Sequence, residues 1–390
     1  MRRGNAMIKK LLNKLINKFW RKQDKKITNL QKSVNELQKS VNELQKKLNE
    51  QKKLNRELKN YVTNETERRD YWKVRGAEVK WLAKGKKIWV IKIPAPDTDV
   101  KFSWGEYYFA CSLKRELEEL GYYVVIDFRE DWYCEIEADF VLVLRGRRVY
   151  HPDRRNEKCK YILWHVCHPD LVPKEEYELY DVVYVDSTSY AEKMEKEVSV
   201  PVRPLLVCVD TTIFFPQEKE DAYDIVFVGN TRGERRPFIT WCEKNKIPLH
   251  IWGNMDGPHG WKRFVEKDTC IQLEHVIDNN DLPELYRASR IILNDHYGDM
   301  REQGFLNNRI LEALCCGRPL VSDYSPDFEE IFGESIVYYR GEEEFLQKLK
   351  YVEENYEEQR KKVLAIWPKL QKEFSFKERA KTLAKEAEEL

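Results

Sequence analysis

The strongest constraint on the fold is a succession of short apolar runs, each bounded by glycine, proline or charge, alternating with segments of helical spacing. The first series reads IWVIKI at 88–93, YYVVIDF at 122–128, ADFVLVLRG at 138–146, YILWHV at 161–166 and YDVVYVD at 180–186. A proline-containing linker at 201–216 precedes a second series, YDIVFVGN at 223–230, LHIWGN at 249–254, IILN at 291–294 and PLVSD at 319–323, and SIVYYRG at 335–341 continues the pattern. Such runs are too short for core helices, and they lack the alternation of half-exposed strands. They suit parallel strands covered on both faces. An α/β architecture with mostly parallel sheets follows, with functional loops beyond the carboxyl ends of the strands.

The 390 residues suffice for two domains and an accessory segment, and a 42% hydrophobic share can build their cores. The formal net charge of +1 conceals a segment, residues 1–22, with only basic charge. The remainder is therefore net negative, which argues against a general nucleic-acid binder. Nine irregularly spaced cysteines point to buried thiols in a reducing compartment rather than a disulfide scaffold. No stretch reaches the roughly eighteen apolar residues of a spanning helix. Lys14 and Lys18 interrupt the N-terminal apolar run, which speaks against a signal peptide.

That N-terminal run, MIKKLLNKLINKFW at 7–20, places Ile8, Leu11, Leu15, Phe19 and Trp20 at helical spacing among lysines. A basic amphipathic helix over 1–22 is expected, suited to an anionic membrane surface. The alternative is a helix packed on the protein's own body. The heptad QKSVNEL then occurs at 31–37 and 38–44. Val34, Val41 and Leu48 fall at a positions and Leu30, Leu37, Leu44 and Leu58 at d positions, so residues 23–70 are expected to form a parallel coiled coil, dimer favoured over trimer. Together these features imply a cytoplasmic protein held peripherally at the inner face of the cell membrane. The expected order is anchor 1–22, coiled coil 23–70, a first Rossmann-like domain 77–205, a second 206–372 and a C-terminal helix 373–390.

In the first domain, the loop PAPDTDVKFSWGEYYFA offers Asp97 and Glu106 as candidate bases for a hydroxyl nucleophile. Glu106 is equally suited to capping the dipole of its own helix. Arg145, Arg147 and Arg148 flank Gly146 after a strand and could meet an anion. WHVCHP supplies His165 and His168 as candidate contacts to sugar or acceptor; with Cys167 they make no convincing tetrahedral metal set. In the second domain, a strand runs into Gly229, Asn230 and Arg232, a turn able to hold a diphosphate through backbone N–H groups and side-chain charge. Residues 290–323, RIILNDHYGDMREQGFLNNRILEALCCGRPLVSD, place Asp299 in a polar loop and Asn308 and Arg309 at a helix start, where a phosphate is favoured. Glu312, one turn on, can accept hydrogen bonds from a ribose diol. A surface pair between Arg309 and Glu312 is the plainer alternative.

This segment, with DFEEIFG…IVYYRGEEEFLQKLKYVEEN, resembles the donor-binding domain of GT-B glycosyltransferases, and is most similar to the CgeB-like branch of the glycosyltransferase group 1 and 4 superfamily. The first domain, through KIPAP…WGEYYFACSLKRELEELGYYVVIDF and LWHVCHPD, is similar to bacterial glycosyltransferases of surface polysaccharides. The resemblance spans roughly residues 86–385. It implies two Rossmann-like domains across a cleft. A nucleotide-diphosphate sugar would bind mainly to the second as donor substrate, with a glycan or lipid-linked saccharide entering from the first. It implies hexosyl or deoxyhexosyl transfer with no cofactor and no DxD-bound metal. Glu312 then matches the ribose-binding glutamate, Arg309 a phosphate contact, and Gly229 with Asn230 the glycine turn. Retaining relatives often carry a second glutamate, but Gly304 stands in that position and Glu302 is offset, so inversion is favoured slightly. A non-catalytic coiled-coil scaffold bearing a degenerate GT-B body is the rival reading. An epimerase would need GxGxxG where PAPDTD stands.

Overall fold

A computed structural model describes residues 37–49, 51–52, 65–134, 136–154 and 156–390. The expected membrane-surface helix at 1–22 lies outside these residues, as does much of the expected coiled coil. Residues 1–71 form one compact unit and 72–390 another. Within the first, residues 37–49 and 51–52 are helical. Leu37, Val41, Leu44 and Leu48, all at expected a or d positions, are 45–66% exposed.

The second unit contains two sheets, each of six parallel strands. The first consists of β1 (Ile88–Lys92), β2 (Tyr123–Asp127), β3 (Phe140–Arg145), β4 (Lys160–His165), β5 (Val182–Val185) and β6 (Val202–Pro204), in the order β2-β1-β3-β4-β5-β6. The second consists of β7 (Tyr223–Val228), β8 (Leu249–Trp252), β9 (Ile271–Leu273), β10 (Ser289–Asn294), β11 (Leu320–Asp323) and β12 (Ile336–Tyr339), in the order β12-β11-β10-β7-β8-β9. The central strands β1, β3 and β5 are buried along their whole length, which is why their sequences are apolar runs without alternation. The strand order reverses at β1/β3 in the first sheet and at β10/β7 in the second, and in open parallel sheets such a switch opens a crevice at the strand ends.

Two strands escape the sequence reading. Val202–Pro204, read as linker, pairs with β5, and Ile271–Leu273 pairs with β8. Both are three-residue edge strands, too short to carry a period, and Pro204 sits where an edge tolerates a missing N–H.

The connection after β6 runs through buried Val207, Cys208 and Val209, and the last helix, Phe376–Glu389, returns to the first domain. There Phe376 lies 4.7 Å from Phe109 of the Gly105–Glu119 helix, and Tyr122 Oη donates to Glu388 at 3.0 Å. One hydrophobic core thus continues from the first sheet through the linker and final helix into the second domain. All nine cysteines are free thiols. No helix among the described residues is long and apolar enough to cross a membrane.

Candidate active site

A cavity of about 330 Å³ opens between the two domains. Its walls include Glu106 and Cys167 from the first domain, Asp210 from the linker, and Asn307, Asn308 and Glu312 from the second. Each domain thus contributes one glutamate to the same space.

Glu312 arrives there on the Asn308–Cys315 helix, whose start is fixed by Asn307 accepting from the Ile310 N–H at 3.3 Å. The helix is strongly amphipathic because Ile310, Leu311, Ala313 and Leu314 are buried against the sheet, which leaves Glu312 facing the cavity. Burial pushes its carboxyl up to about 7, against the pull of Arg309 and a hydrogen bond with Tyr286. A carboxylate kept this poorly solvated gains from any ligand that brings hydroxyl donors.

Glu106 sits in the first turn of its helix, its carboxylate against Gly146 at the end of β3. A methyl group on Gly146 would lie 2.9 Å from Glu106 Oε1, so this glycine provides room for the acid. Burial raises the Glu106 pKa above the ordinary carboxylate range, opposed by a hydrogen bond from its own backbone. Such a shift makes a carboxylate a better proton acceptor near neutral pH.

Arg309 lies in the first turn of the Asn308–Cys315 helix, against Gly229. Its Nε donates to Val228 O, and its Nη1 donates to Asn294 Oδ1 at 2.6 Å and to Asp295 O at 3.4 Å. The guanidinium also lies over the Phe227 ring, 4.4 Å from its centre. It stitches the ends of β7 and β10 together through Nε and Nη1, while Nη2 lies beside Gly229. Gly229 is where this stitching allows no side chain, since an added methyl would collide with Arg309 Nη2. Gly229→Ala is therefore expected to lower stability by about 1–3 kcal/mol through overpacking. Thermal unfolding of the purified variant checks this; an unchanged midpoint would show that Arg309 can yield.

The rest of the glycine turn is arranged around an aromatic ring. Asn230 Oδ1 accepts from the Asn254 N–H at 2.9 Å, and its carbonyl accepts from Tyr297 Oη at 2.6 Å. The guanidinium carbons of Arg232 and Arg236 each lie 3.6 Å from the centre of the Tyr297 ring. Arg232 has a left-handed backbone, φ 51°, and reaches Asp299 at 3.3 Å. Arg236 pairs with buried Asp295 at 3.1 Å. Tyr297 and Arg236 were not singled out by sequence, because the stack joins residues about sixty apart and no local spacing signals it. The same holds for Asp210, which accepts from Arg115 at 2.8 Å and from Ser112 at 3.0 Å beside the cavity.

The remaining candidates of the first domain lie outside the cavity wall. Asp97 pairs with Lys101 at 3.1 Å on the loop after β1. His165 is fully buried; Nδ1 bonds Tyr177 Oη at 2.6 Å, Nε2 meets Cys167 O at 3.1 Å, and Phe305 of the second domain covers the ring at 4.9 Å. Burial and then the charge of Arg145 hold its pKa down at about 3, so it stays neutral. Arg145, expected as an anion contact, is itself buried in a two-point pair with Glu176 at 2.6 and 2.9 Å. His168, with φ 60° and ψ 56°, is buried beside Arg232 and Asp299 rather than facing the acid pair.

The domains touch along one side of the cavity. Ser187 Oγ donates to Gln303 O at 2.6 Å, Ser189 Oγ to Asp327 Oδ2 at 2.8 Å, and the Leu306 N–H to Asp186 O at 3.3 Å. Gly304 makes this approach feasible with φ +68°; a methyl there would lie 2.7 Å from Asp327 Cγ.

Two facing Rossmann-like domains with an acid from each in the space between them define a GT-B architecture. Residues 234–385 match the family described as glycosyl transferase-like. Among solved structures, the chain is similar to a sucrose-phosphate synthase from Thermosynechococcus elongatus, with TM-score 0.62 and 11% identity over 78% of this chain and 99% of that one. It is also similar to Anabaena HepE in complex with UDP-glucose, with TM-score 0.56 and 9% identity over 78% of this chain and 100% of that one. A third similar structure is T4 phage BGT in complex with UDP and Mn2+, with TM-score 0.52 and 15% identity over 78% and 100%. At these identities the structural likeness establishes the fold alone. No curated protein sequence matches. The match places a glycosyl transferase-like domain at residues 234–385, within a chain whose fold is GT-B.

Proposed function

We propose that the protein transfers a sugar from a nucleoside-diphosphate donor to a hydroxyl of a glycan or lipid-linked saccharide, within the CgeB-like branch and in the synthesis of a surface glycan. The observation that carries the reading is the interdomain cavity lined by Glu106 and Glu312. Glu312 accepts the ribose hydroxyls. The diphosphate lies toward the glycine turn, met by backbone N–H groups near Gly229 and Asn308 and by Arg232. Arg309 positions that turn through three hydrogen bonds to strand ends and offers its Nη2 beside Gly229 to the diphosphate.

Glu106 is the base. As the acceptor oxygen bonds to the anomeric carbon, the bond from that carbon to the phosphate oxygen breaks and the acceptor proton passes to Glu106. Charge develops on the departing diphosphate, where fixed donors lower the barrier. Inversion is the stereochemical outcome proposed, since Gly304 stands where retaining relatives carry a second glutamate and its surroundings admit no side chain. Arginine and backbone donors hold the diphosphate, so the bond-making step itself needs no metal. The test is release of nucleoside diphosphate from a panel of nucleotide sugars by the purified protein. Turnover with one or more donors is expected; no turnover and no donor binding across the panel would overturn the reading.

We further infer assembly through the N-terminal segment. The exposed row Leu37, Val41, Leu44 and Leu48 would leave leucines in water on a lone helix, which supports a parallel dimer. Changing Leu37 and Leu44 to lysine is expected to lower the solution mass to that of one chain; an unchanged mass would place the interface elsewhere. The basic stripe at 1–22 supports attachment to the inner face of the membrane, with paired anchors acting together. Removing residues 1–22 is expected to release the protein from anionic liposomes, and equal sedimentation with and without them would refute attachment.

A further inference from the structure

We propose that His168, Asp170 and Asp299 form a divalent-cation site that staples the first domain to the second beside the cavity. His168 and Asp170 follow β4 in the first domain, whereas Asp299 belongs to the Gly298–Glu302 helix of the second. One ligand atom from each lies within 4.8 Å of the other two. A cation with bonds of about 2.0–2.2 Å can draw such atoms together by side-chain rotation. Cys167 and Met300, the sequence neighbours of His168 and Asp299, line the cavity, so the site adjoins the proposed centre without occupying it.

An independent feature points to a ligand there. His168 is only 8% exposed, and its ring has no hydrogen-bond partner among the described residues, although its nitrogen faces the two carboxylates. The backbone adopts a left-handed conformation there, φ 60°, to place the ring. The two carboxylates also oppose each other, with one oxygen from each within 4.8 Å of the other. A cation between them removes that repulsion. One imidazole with two carboxylates suits Mn2+ or a similar ion, with water completing the shell.

Arg232 is the competing cation. It holds Asp299 only through long contacts of 3.3 and 3.5 Å while stacked on Tyr297. A metal taking the Asp299 carboxylate would free the Arg232 guanidinium toward the donor phosphates while tying the two domains together. The cation thus acts on closure and not on the bond-making step. Its binding does not depend on the transferase reading, so the two can fail separately.

The test is titration of the full-length protein with Mn2+ alone, without nucleotide, followed by calorimetry and by the spin-resonance signal of the free ion. One Mn2+ per chain is expected, with affinity reduced at least tenfold in both Asp170→Asn and Asp299→Asn. Circular dichroism of both variants should match the parent. Mn2+ should raise the thermal midpoint of the parent and leave those of the variants unmoved. Absence of saturable Mn2+ binding, or binding equal in parent and variants, would overturn the proposal.

Discussion

Replacing Glu312 with glutamine is expected to weaken nucleoside-diphosphate binding about 10- to 100-fold, the scale of losing hydrogen bonds to a charged acceptor. The same change should make the protein more stable at alkaline pH. In the fold this carboxyl is pushed up to about 7 from an ordinary value near 4.5, chiefly by burial. Between those values the unfolded chain is ionised and the folded chain is still protonated. The cost of ionising Glu312 inside the fold therefore builds as pH rises through this window, and is complete above about 7. Glutamine carries no such cost. Denaturant unfolding at pH 5 and pH 8 should show the variant gaining about 1–3 kcal/mol relative to the parent between the two conditions. A variant that loses binding and stability together at pH 8 would mean that Glu312 is a structural group.

Glu106→Gln addresses the chemical step. With the base removed, kcat is expected to fall about 100- to 10,000-fold, with donor affinity nearly unchanged. The raised pKa also sets a sign. In the parent, the rate should decline as pH falls and Glu106 is protonated, with the midpoint above that of an ordinary glutamate. The variant should lack that acid limb. A parallel fall in affinity and kcat, or an acid limb that persists, would move the base to another residue.

These two expectations rest on residues that were legible before the fold was known, for different reasons. Glu312 follows a helix start by one turn, and its neighbours Ile310, Leu311, Ala313 and Leu314 are apolar, so spacing alone turned it away from the core. Glu106 was legible only as one acid among several on its loop. What singles it out is Gly146, forty residues away, which leaves room for its carboxylate. Arg309 shows the limit of such reading. A helix-start arginine suggests phosphate binding, but its bond to the Val228 carbonyl, 81 positions earlier, has no local signal. His165 likewise looked available until Tyr177, Cys167 and Phe305 were seen to enclose it. Apolar runs reveal strands because each strand carries its own burial pattern; pairings between distant strand ends leave no local trace.

The central claim is that a nucleotide occupies the space between Glu106 and Glu312. A crystal structure of the protein with a bound nucleoside diphosphate tests it most directly. Ribose hydroxyls are expected within hydrogen-bond distance of Glu312, the diphosphate toward Gly229 and Arg232, and Glu106 facing the open side where the sugar would lie. A nucleotide bound elsewhere, with Glu312 out of its reach, would contradict it.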